Sequence, residues 1–142
     1  PATIEFIRQK SEFTEAPTYS YQFTYEFPID GGKAAWHCAE IPFVFHNIDR
    51  IAVCNVPGET DRLQERMATA WINFARYGSP ETPSLPNWPA CTPGDEATMI
   101  FDRPCEIRRN FDHELVKKLV ETDYNPMTPV VEDEEEDAFF IH

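Results

Sequence analysis

The segment Gly31–Phe45 reads GGKAAWHCAEIPFVF and places one histidine, His37, on a loop that begins with two glycines. This loop follows residues 18–27, TYSYQFTYEF, in which polar and aromatic side chains alternate without interruption. A period of two with aromatic residues on one side predicts a strand with one covered face. Pro28 and the two glycines end that strand. The sequence therefore predicts a strand, a tight turn and a histidine-bearing loop.

A long helix is predicted from Asp61 to Tyr77, with Thr60 as its N-cap and Gly78 as the residue that ends it. Apolar residues recur there at helical spacing, which predicts one buried face. The residues of that face are Leu63, Met67, Ala70, Phe74 and Tyr77.

A second helix is predicted from Asn110 to about Glu121. Its apolar positions fall on one side of the helix, so they are expected to form a buried stripe. The stripe consists of Phe111, Leu115 and Leu119. A short helix or turn is expected near the start of the chain, where Ile4, Phe6 and Ile7 are clustered.

Four stretches, in order, resemble the type-B carboxylesterase and cholinesterase family. In that family a glycine-rich turn leads to His-x-x-Glu-[Ile/Leu] and an aromatic-Val-Phe run, as in Gly31–Phe45. Its long helix ends with Trp-x-Asn-Phe-Ala-x-x-Gly-x-Pro, which is found at residues 71–80. Its Trp-Pro-x-Tyr-Thr turn is similar to residues 88–92, where Cys91 replaces the tyrosine, and its next strand is similar to residues 99–102.

The resemblance implies an α/β fold, namely the C-terminal portion of an α/β-hydrolase fold with terminal strands plus helices and an incomplete sheet. Residues 1–125 would be the C-terminal part of a carboxylesterase domain. His37 would be the triad histidine, the general base of a serine esterase that hydrolyses apolar carboxylic esters. No metal or organic cofactor is implied. The partner would be the N-terminal remainder of the enzyme, and self-association through an uncovered apolar face is expected.

The other parts of that catalytic machinery are absent from this sequence. The serine of such enzymes lies in a Gly-x-Ser-x-Gly elbow, and none of the five glycines here flanks a serine in that pattern. The one glycine pair lies on the histidine loop, and the family's acid, a glutamate, would precede the chain. A histidine without a nucleophile and charge-stabilising donors does not carry out acyl transfer. We therefore expect this chain alone to be inactive.

Each chemical assignment has a structural alternative. Without the resemblance, a histidine after a Gly-Gly turn is more often a surface or capping residue than a catalytic one. Glu40 could form a His-x-x-Glu metal pair with His37, but two ligands without a third favour a structural acid. Cys38 is a poor nucleophile partner for His37, since adjacent residues on an extended backbone point in opposite directions. His46 is expected to be a loop histidine.

Aromatic residues near His37 bear on the substrate. Trp36, Phe43 and Phe45 flank the histidine and could line an acyl or alcohol pocket, although Phe43 and Phe45 could equally be core residues. An aromatic pocket indicates an apolar ester and does not name it.

Two other classes of function remain open. A non-catalytic cholinesterase-like binding or interaction module would keep the fold without the chemistry, and the presence of His37 counts against it. An independent acidic interaction domain would require several ordered motifs to be coincidental. The residues that precede this chain would distinguish an esterase from the first of these two classes, because an esterase would have a Gly-x-Ser-x-Gly elbow there.

The chain has 142 residues and a formal net charge of −13, which disfavours nucleic acid and anionic membranes as partners because both would repel it. Its 42% apolar content argues against a disordered chain. Residues 132–137 are six consecutive acids, which are typical of a solvated tail, and residues 126–142 are predicted to be acidic and flexible. The sequence shows no transmembrane segment or signal peptide.

The four cysteines show no C-x-x-C or zinc-like spacing. Dispersed cysteines in an apolar chain are more often reduced packing residues than disulfide partners. They favour a cytoplasmic over a secreted location, although the sequence does not fix localisation. These residues are Cys38, Cys54, Cys91 and Cys105.

Overall fold

A computed structural model of the chain describes residues 2–13 and 15–122. The helices are α1 (Ala2–Ser11), α2 (Ile41–Val44), α3 (Thr60–Tyr77) and α4 (His113–Glu121), and the strands are β1 (Ser20–Phe23), β2 (Ala97–Phe101) and β3 (Glu106–Arg109). A 3₁₀ turn lies at Ile48–Arg50. The predicted acidic tail, residues 126–142, lies outside the described residues. Within the described part, no helix combines the length and apolarity needed to span a membrane.

The strands form one sheet with the order β1-β2-β3. β1 and β2 run parallel, with Ser20 opposite Thr98 and Phe23 opposite Phe101, whereas β3 runs antiparallel to β2. Parallel neighbours need a long crossover, and here it contains the histidine loop, α2 and α3. β1 has no second neighbour among the described residues. The predicted α/β class with an incomplete sheet is confirmed.

The predicted strand over residues 18–27 is longer than the strand observed, which covers only Ser20–Phe23. The ladder ends because β2 stops at Phe101, whose carbonyl accepts one more bond, from the N–H of Thr24 (3.1 Å). The predicted facing of the side chains nevertheless holds, since all five aromatic residues pack in or against the core. They are Tyr19, Tyr21, Phe23, Tyr25 and Phe27.

The helix α3 confirms the long predicted helix but not its predicted cap, and of the predicted face Leu63, Met67 and Ala70 are buried whereas Phe74 and Tyr77 are exposed. Thr60 is the first helical residue and Glu59 occupies the N-cap position. The hydroxyl of Thr60 accepts the N–H of Val56 (3.0 Å) and donates to the side-chain oxygen of Asn55 (2.7 Å), so it ties down the preceding loop. Gly78 ends the helix as predicted, in the left-handed conformation with φ 72°.

The helix α4 is shorter than predicted, because it begins at His113 rather than Asn110. The expected buried stripe is wrong: no residue of α4 is buried, and Leu115 is 53% exposed. The reason is that α4 makes few contacts with the other described helices and strands, so that Phe111 and Leu119 are only half-buried. The short helix or turn expected near the start is the ten-residue α1, whose Phe6 is also exposed.

Candidate functional site

The histidine loop leaves the carboxyl end of β1 through a glycine turn. Phe27 and Lys33 exchange two backbone hydrogen bonds (2.8 and 2.9 Å), which close the turn. Gly31 and Gly32 both have positive φ, 84° and 125°. A Cβ atom on Gly32 would lie 2.5 Å from Oε1 of Glu26, the end of an exposed side chain that can move, so it is the backbone conformation that requires glycine there. The turn reverses the direction of the chain, so that Lys33 lies antiparallel to Phe27.

The backbone around His37 is anchored on both sides. Before it, the ring of Trp36 lies on that of Phe27, with 4.6 Å between centroids. After it, Ala39 and Phe43 are buried, and the N–H of Ala39 donates to the carbonyl of Trp36 (3.1 Å). His37 therefore sits on a turn whose ends are fixed by core contacts.

The imidazole of His37 points away from this core. Its side chain is exposed, and within residues 2–13 and 15–122 it makes no hydrogen bond or ion pair. Both ring nitrogens are therefore without a partner in this part of the chain. A base that must face a nucleophile on one side and an acid on the other needs both nitrogens for such partners.

Three large apolar residues within eight positions of His37 are exposed. Trp36 is 41% exposed, Ile41 44% and Phe45 72%, whereas Phe43 is fully buried. Of the two alternatives for the phenylalanines, Phe43 is a core residue and Phe45 is not. The exposed group gives the loop an apolar rim.

The other candidate groups of the loop do not form a second site. Glu40 is half-buried, and no cluster of three or more metal-ligating side chains occurs among the described residues. Cys38 is exposed and lies in a left-handed turn with φ 67°, so the expected extended backbone at this position is wrong. His46 is a loop histidine as expected, and its Nε2 lies 2.9 Å from Oε2 of Glu65.

Tyr21 is the β1 residue whose ionisation depends on Glu40. The pKa of its phenol is raised, mainly by burial and further by the negative charge of Glu40. Tyr21 also packs edge-on against Trp71 and Phe101, at 6.0 and 5.6 Å. The expected role of Glu40 as a structural acid stays a prediction.

A polar network that the sequence analysis missed lies at the carboxyl end of β1. The hydroxyl of Tyr25 donates to Glu59 (2.5 Å), and Nε of Arg103 donates to the same oxygen. The guanidinium of Arg103 stacks on the ring of Tyr25, at 4.0 Å from its centroid, and donates to the carbonyl of Glu26 (3.0 Å). The network therefore fixes the point where the chain enters the glycine turn.

The network also shifts the pKa values of Tyr25 and Glu59. Burial, followed by the hydrogen bond to Glu59, raises the pKa of Tyr25 to about 12. The pKa of Glu59 is lowered, first by the hydrogen bond from Tyr25 and then by Arg103. Both shifts favour one protonation state, a neutral phenol that donates to an ionised carboxylate.

A second unpredicted cluster joins α1, β2 and α4. The carboxylate of Glu96 is almost fully buried, and it lies 3.4 Å from Nε of Arg8 and 2.5 Å from Nε2 of His113. Both carboxylate oxygens lack a hydrogen bond of acceptable angle, so the contact is an ion pair by distance only. The side chain of His113 is only 19% exposed.

This arrangement defines a class of protein. A parallel β1–β2 pair with a long helical crossover, and a histidine on a turn at the carboxyl end of β1, corresponds to one part of an α/β-hydrolase domain. The sequence pattern of the Carboxylesterase family matches residues 2–119. The chain belongs to this family, which confirms the resemblance seen in its motifs.

Individual relatives agree with this assignment. The chain is 34% identical over 107 residues to para-nitrobenzyl esterase of Bacillus subtilis, covering 73% of this chain and 22% of that protein. It is 35% identical over 116 residues to phenmedipham hydrolase of Pseudarthrobacter oxydans, covering 75% and 24%. The structure of a polyester-hydrolysing esterase from Clostridium hathewayi superposes with a TM-score of 0.78 at 43% identity, covering 84% and 24%. The chain thus spans about a quarter of the length of these relatives.

Proposed function

We propose that this chain supplies the general-base histidine, His37, of a serine carboxylesterase. The nucleophilic serine, the oxyanion hole and the triad acid would lie outside the chain. One observation carries the proposal: the exposed imidazole of His37 lies on an anchored turn at the carboxyl end of a parallel strand, in a chain of the Carboxylesterase family. The carboxyl ends of such strands are where α/β proteins assemble their sites.

The proposed reaction has two steps. In the first, His37 takes the proton of the serine hydroxyl as the serine oxygen attacks the ester carbonyl carbon, and then gives that proton to the leaving alcohol. In the second, His37 takes a proton from water, whose oxygen attacks the acyl-enzyme, and returns it to the serine as the acid is released. The imidazole is neutral at the start and at the end of each step, so it is regenerated as a base for the next one.

The substrate class follows from the rim of the loop. Trp36, Ile41 and Phe45 expose apolar surface next to His37, which favours an ester with an apolar group on this side of the site. Two relatives carry the names of hydrolases for para-nitrobenzyl esters and phenmedipham. We infer an apolar carboxylic ester, and the N-terminal remainder of the enzyme as the partner that completes the site.

The test is a substitution in the complete enzyme that contains this chain. His37→Gln keeps a polar side chain of similar length and removes the base, so kcat for an activated aryl ester should fall by about 10³-fold or more with KM nearly unchanged. His46→Gln is the matched control, because His46 is an exposed loop histidine only nine positions away, and it should change the rate by less than about tenfold. Normal activity in His37→Gln, or equal losses in both variants, would show that His37 is not the base.

A further inference from the structure

A cleft whose walls contain no residue of the histidine loop lies beside the ends of β1 and β2. Its volume is about 330 Å³. We call it the arginine cleft, because three of its side chains are guanidinium groups. It is lined by Tyr25, Glu59, Arg62, Leu63, Arg66, Asp102, Arg103 and Pro104.

The two carboxylates of the arginine cleft already have partners. Glu59 accepts the hydroxyl of Tyr25 (2.5 Å) and Nε of Arg103. Asp102 accepts the hydroxyl of Thr24 (2.7 Å) and the backbone N–H of Arg103 (2.8 Å). Neither carboxylate forms an ion pair with the other two arginines in the part of the chain that the structure describes. The negative charges of the cleft are therefore used for its own framework.

Arg62 and Arg66 remain without an oxygen acceptor among residues 2–13 and 15–122. They lie one turn apart on α3, and the contact that Arg66 makes is a weak one, from a guanidinium nitrogen to Sγ of Cys105 at 3.9 Å. Like charges at i and i+4 on a helix repel each other. An anion between the two side chains would remove that repulsion and supply acceptors for their N–H groups.

The framework around these arginines is fixed. Arg103 stacks on the ring of Tyr25, which is fully buried, and its charge is paired with Glu59, so the positive charge left without an ion-pair partner is that of Arg62 and Arg66. Tyr25 follows β1, whereas Asp102 and Arg103 follow β2, so the cleft opens at the carboxyl ends of parallel strands. Crevices at that end of a sheet are where α/β proteins bind ligands.

We propose that the arginine cleft binds a small oxyanion, a dicarboxylate or phosphate, between Arg62 and Arg66. A guanidinium group presents parallel N–H donors that match two oxygens of a carboxylate or phosphate. The net charge of −13 opposes the approach of anions, so binding depends on these short contacts and not on the field of the whole chain. We expect weak, salt-sensitive binding, with a Kd of about a millimolar.

The experiment titrates the 142-residue chain with succinate, and separately with inorganic phosphate, at constant ionic strength adjusted with chloride. The arginine Nε–Hε resonances report on contact by NMR. Those of Arg62 and Arg66 should shift and saturate, and Arg62→Gln or Arg66→Gln should weaken binding by at least about fivefold, equivalent to ~1 kcal/mol. Arg76→Gln is the matched control, since Arg76 is an exposed arginine in the last turn of the same helix, outside the cleft. It should leave the Kd unchanged.

Two results would overturn the proposal. One is the absence of saturable shifts at Arg62 and Arg66 with both anions, and the other is an equal loss of affinity in Arg76→Gln, which would indicate non-specific screening. The side chain of Arg62 is exposed, so Arg62→Gln tests the site even if the half-buried Arg66 cannot be replaced without unfolding. Saturation by one anion or by both supports the site and identifies which oxyanion it takes.

Discussion

Replacing Tyr25 by phenylalanine removes one hydroxyl from the network with Glu59 and Arg103. The hydroxyl lies in a fully buried residue and donates to an ionised acceptor, and hydrogen bonds of that kind contribute about 1.5–3 kcal/mol. The Glu59 side chain is 35% exposed, so water replaces part of the lost bond and the lower limit applies. The ring itself stays, and with it the stacking of Arg103. We expect a loss of about 1.5 kcal/mol in the free energy of unfolding.

Urea unfolding at pH 7, followed by circular dichroism, measures this change. With a slope of about 2 kcal/mol per molar, the midpoint should fall by roughly 0.7 M. Tyr19→Phe is the matched control, because the Tyr19 hydroxyl makes no hydrogen bond to any described residue, and its midpoint should move by less than about 0.2 M. A Tyr25→Phe protein as stable as wild type, or an equal loss when Glu59 is already Gln, would refute the reasoning.

The same variant has a defined pH dependence. The folded-state pKa of Glu59 is lowered, so its stabilising contribution is present above the unfolded pKa of about 4.3 and is lost as the pH falls through the folded value. The difference between wild type and Tyr25→Phe should therefore shrink below about pH 4. The folded-state pKa of Tyr25 is raised to about 12, so its contribution is present below pH ~10 and is lost as the pH rises towards that value.

Three further outcomes are expected. The isolated chain should show no turnover of an activated aryl ester and no labelling by a fluorophosphonate, and labelling would reveal an unrecognised nucleophile. Its exposed apolar side chains, such as Phe45 and Tyr77, should drive self-association in sedimentation experiments, which a strict monomer at high concentration would contradict. Gly32→Ala should lower the unfolding free energy by about 1–3 kcal/mol, and by more than Gly31→Ala, because φ near 125° suits only glycine. Equal unfolding midpoints for the two alanine variants would count against that strain.

Local patterns in the sequence predict the parts of this fold that depend on local chemistry. The helix α3 follows from its apolar spacing and from Gly78, and the facing of the aromatic residues around β1 follows from a period of two. The position of His37 after that strand follows from the glycine turn. The length of β1 does not, because it is set by where β2 ends, more than seventy residues later.

The side-chain networks could not be predicted for a related reason. Tyr25 and Glu59 are separated by 34 positions, and Arg103 lies 44 positions beyond Glu59. No period of a helix or strand connects such residues, and each has an ordinary surface or core interpretation by itself. Glu96 and His113 are likewise brought together only by the pairing of β2 with β3, which places Ala97 opposite Arg109. Contacts between distant elements need the fold before they can be recognised.

The errors in predicted burial are alike: apolar residues that the sequence places in the core are exposed in the structure. Leu115 was expected to be buried and Phe45 could have been, yet both are exposed, and Trp71 and Phe74 of α3 are also more than 40% exposed. An apolar pattern records the environment that a segment has in its complete domain. The edge strand β1 also indicates a larger environment, because a sheet with parallel strands is covered on both faces in a complete domain. The chain spans about a quarter of its relatives, so these uncovered faces are the places where we expect the rest of a carboxylesterase domain to pack.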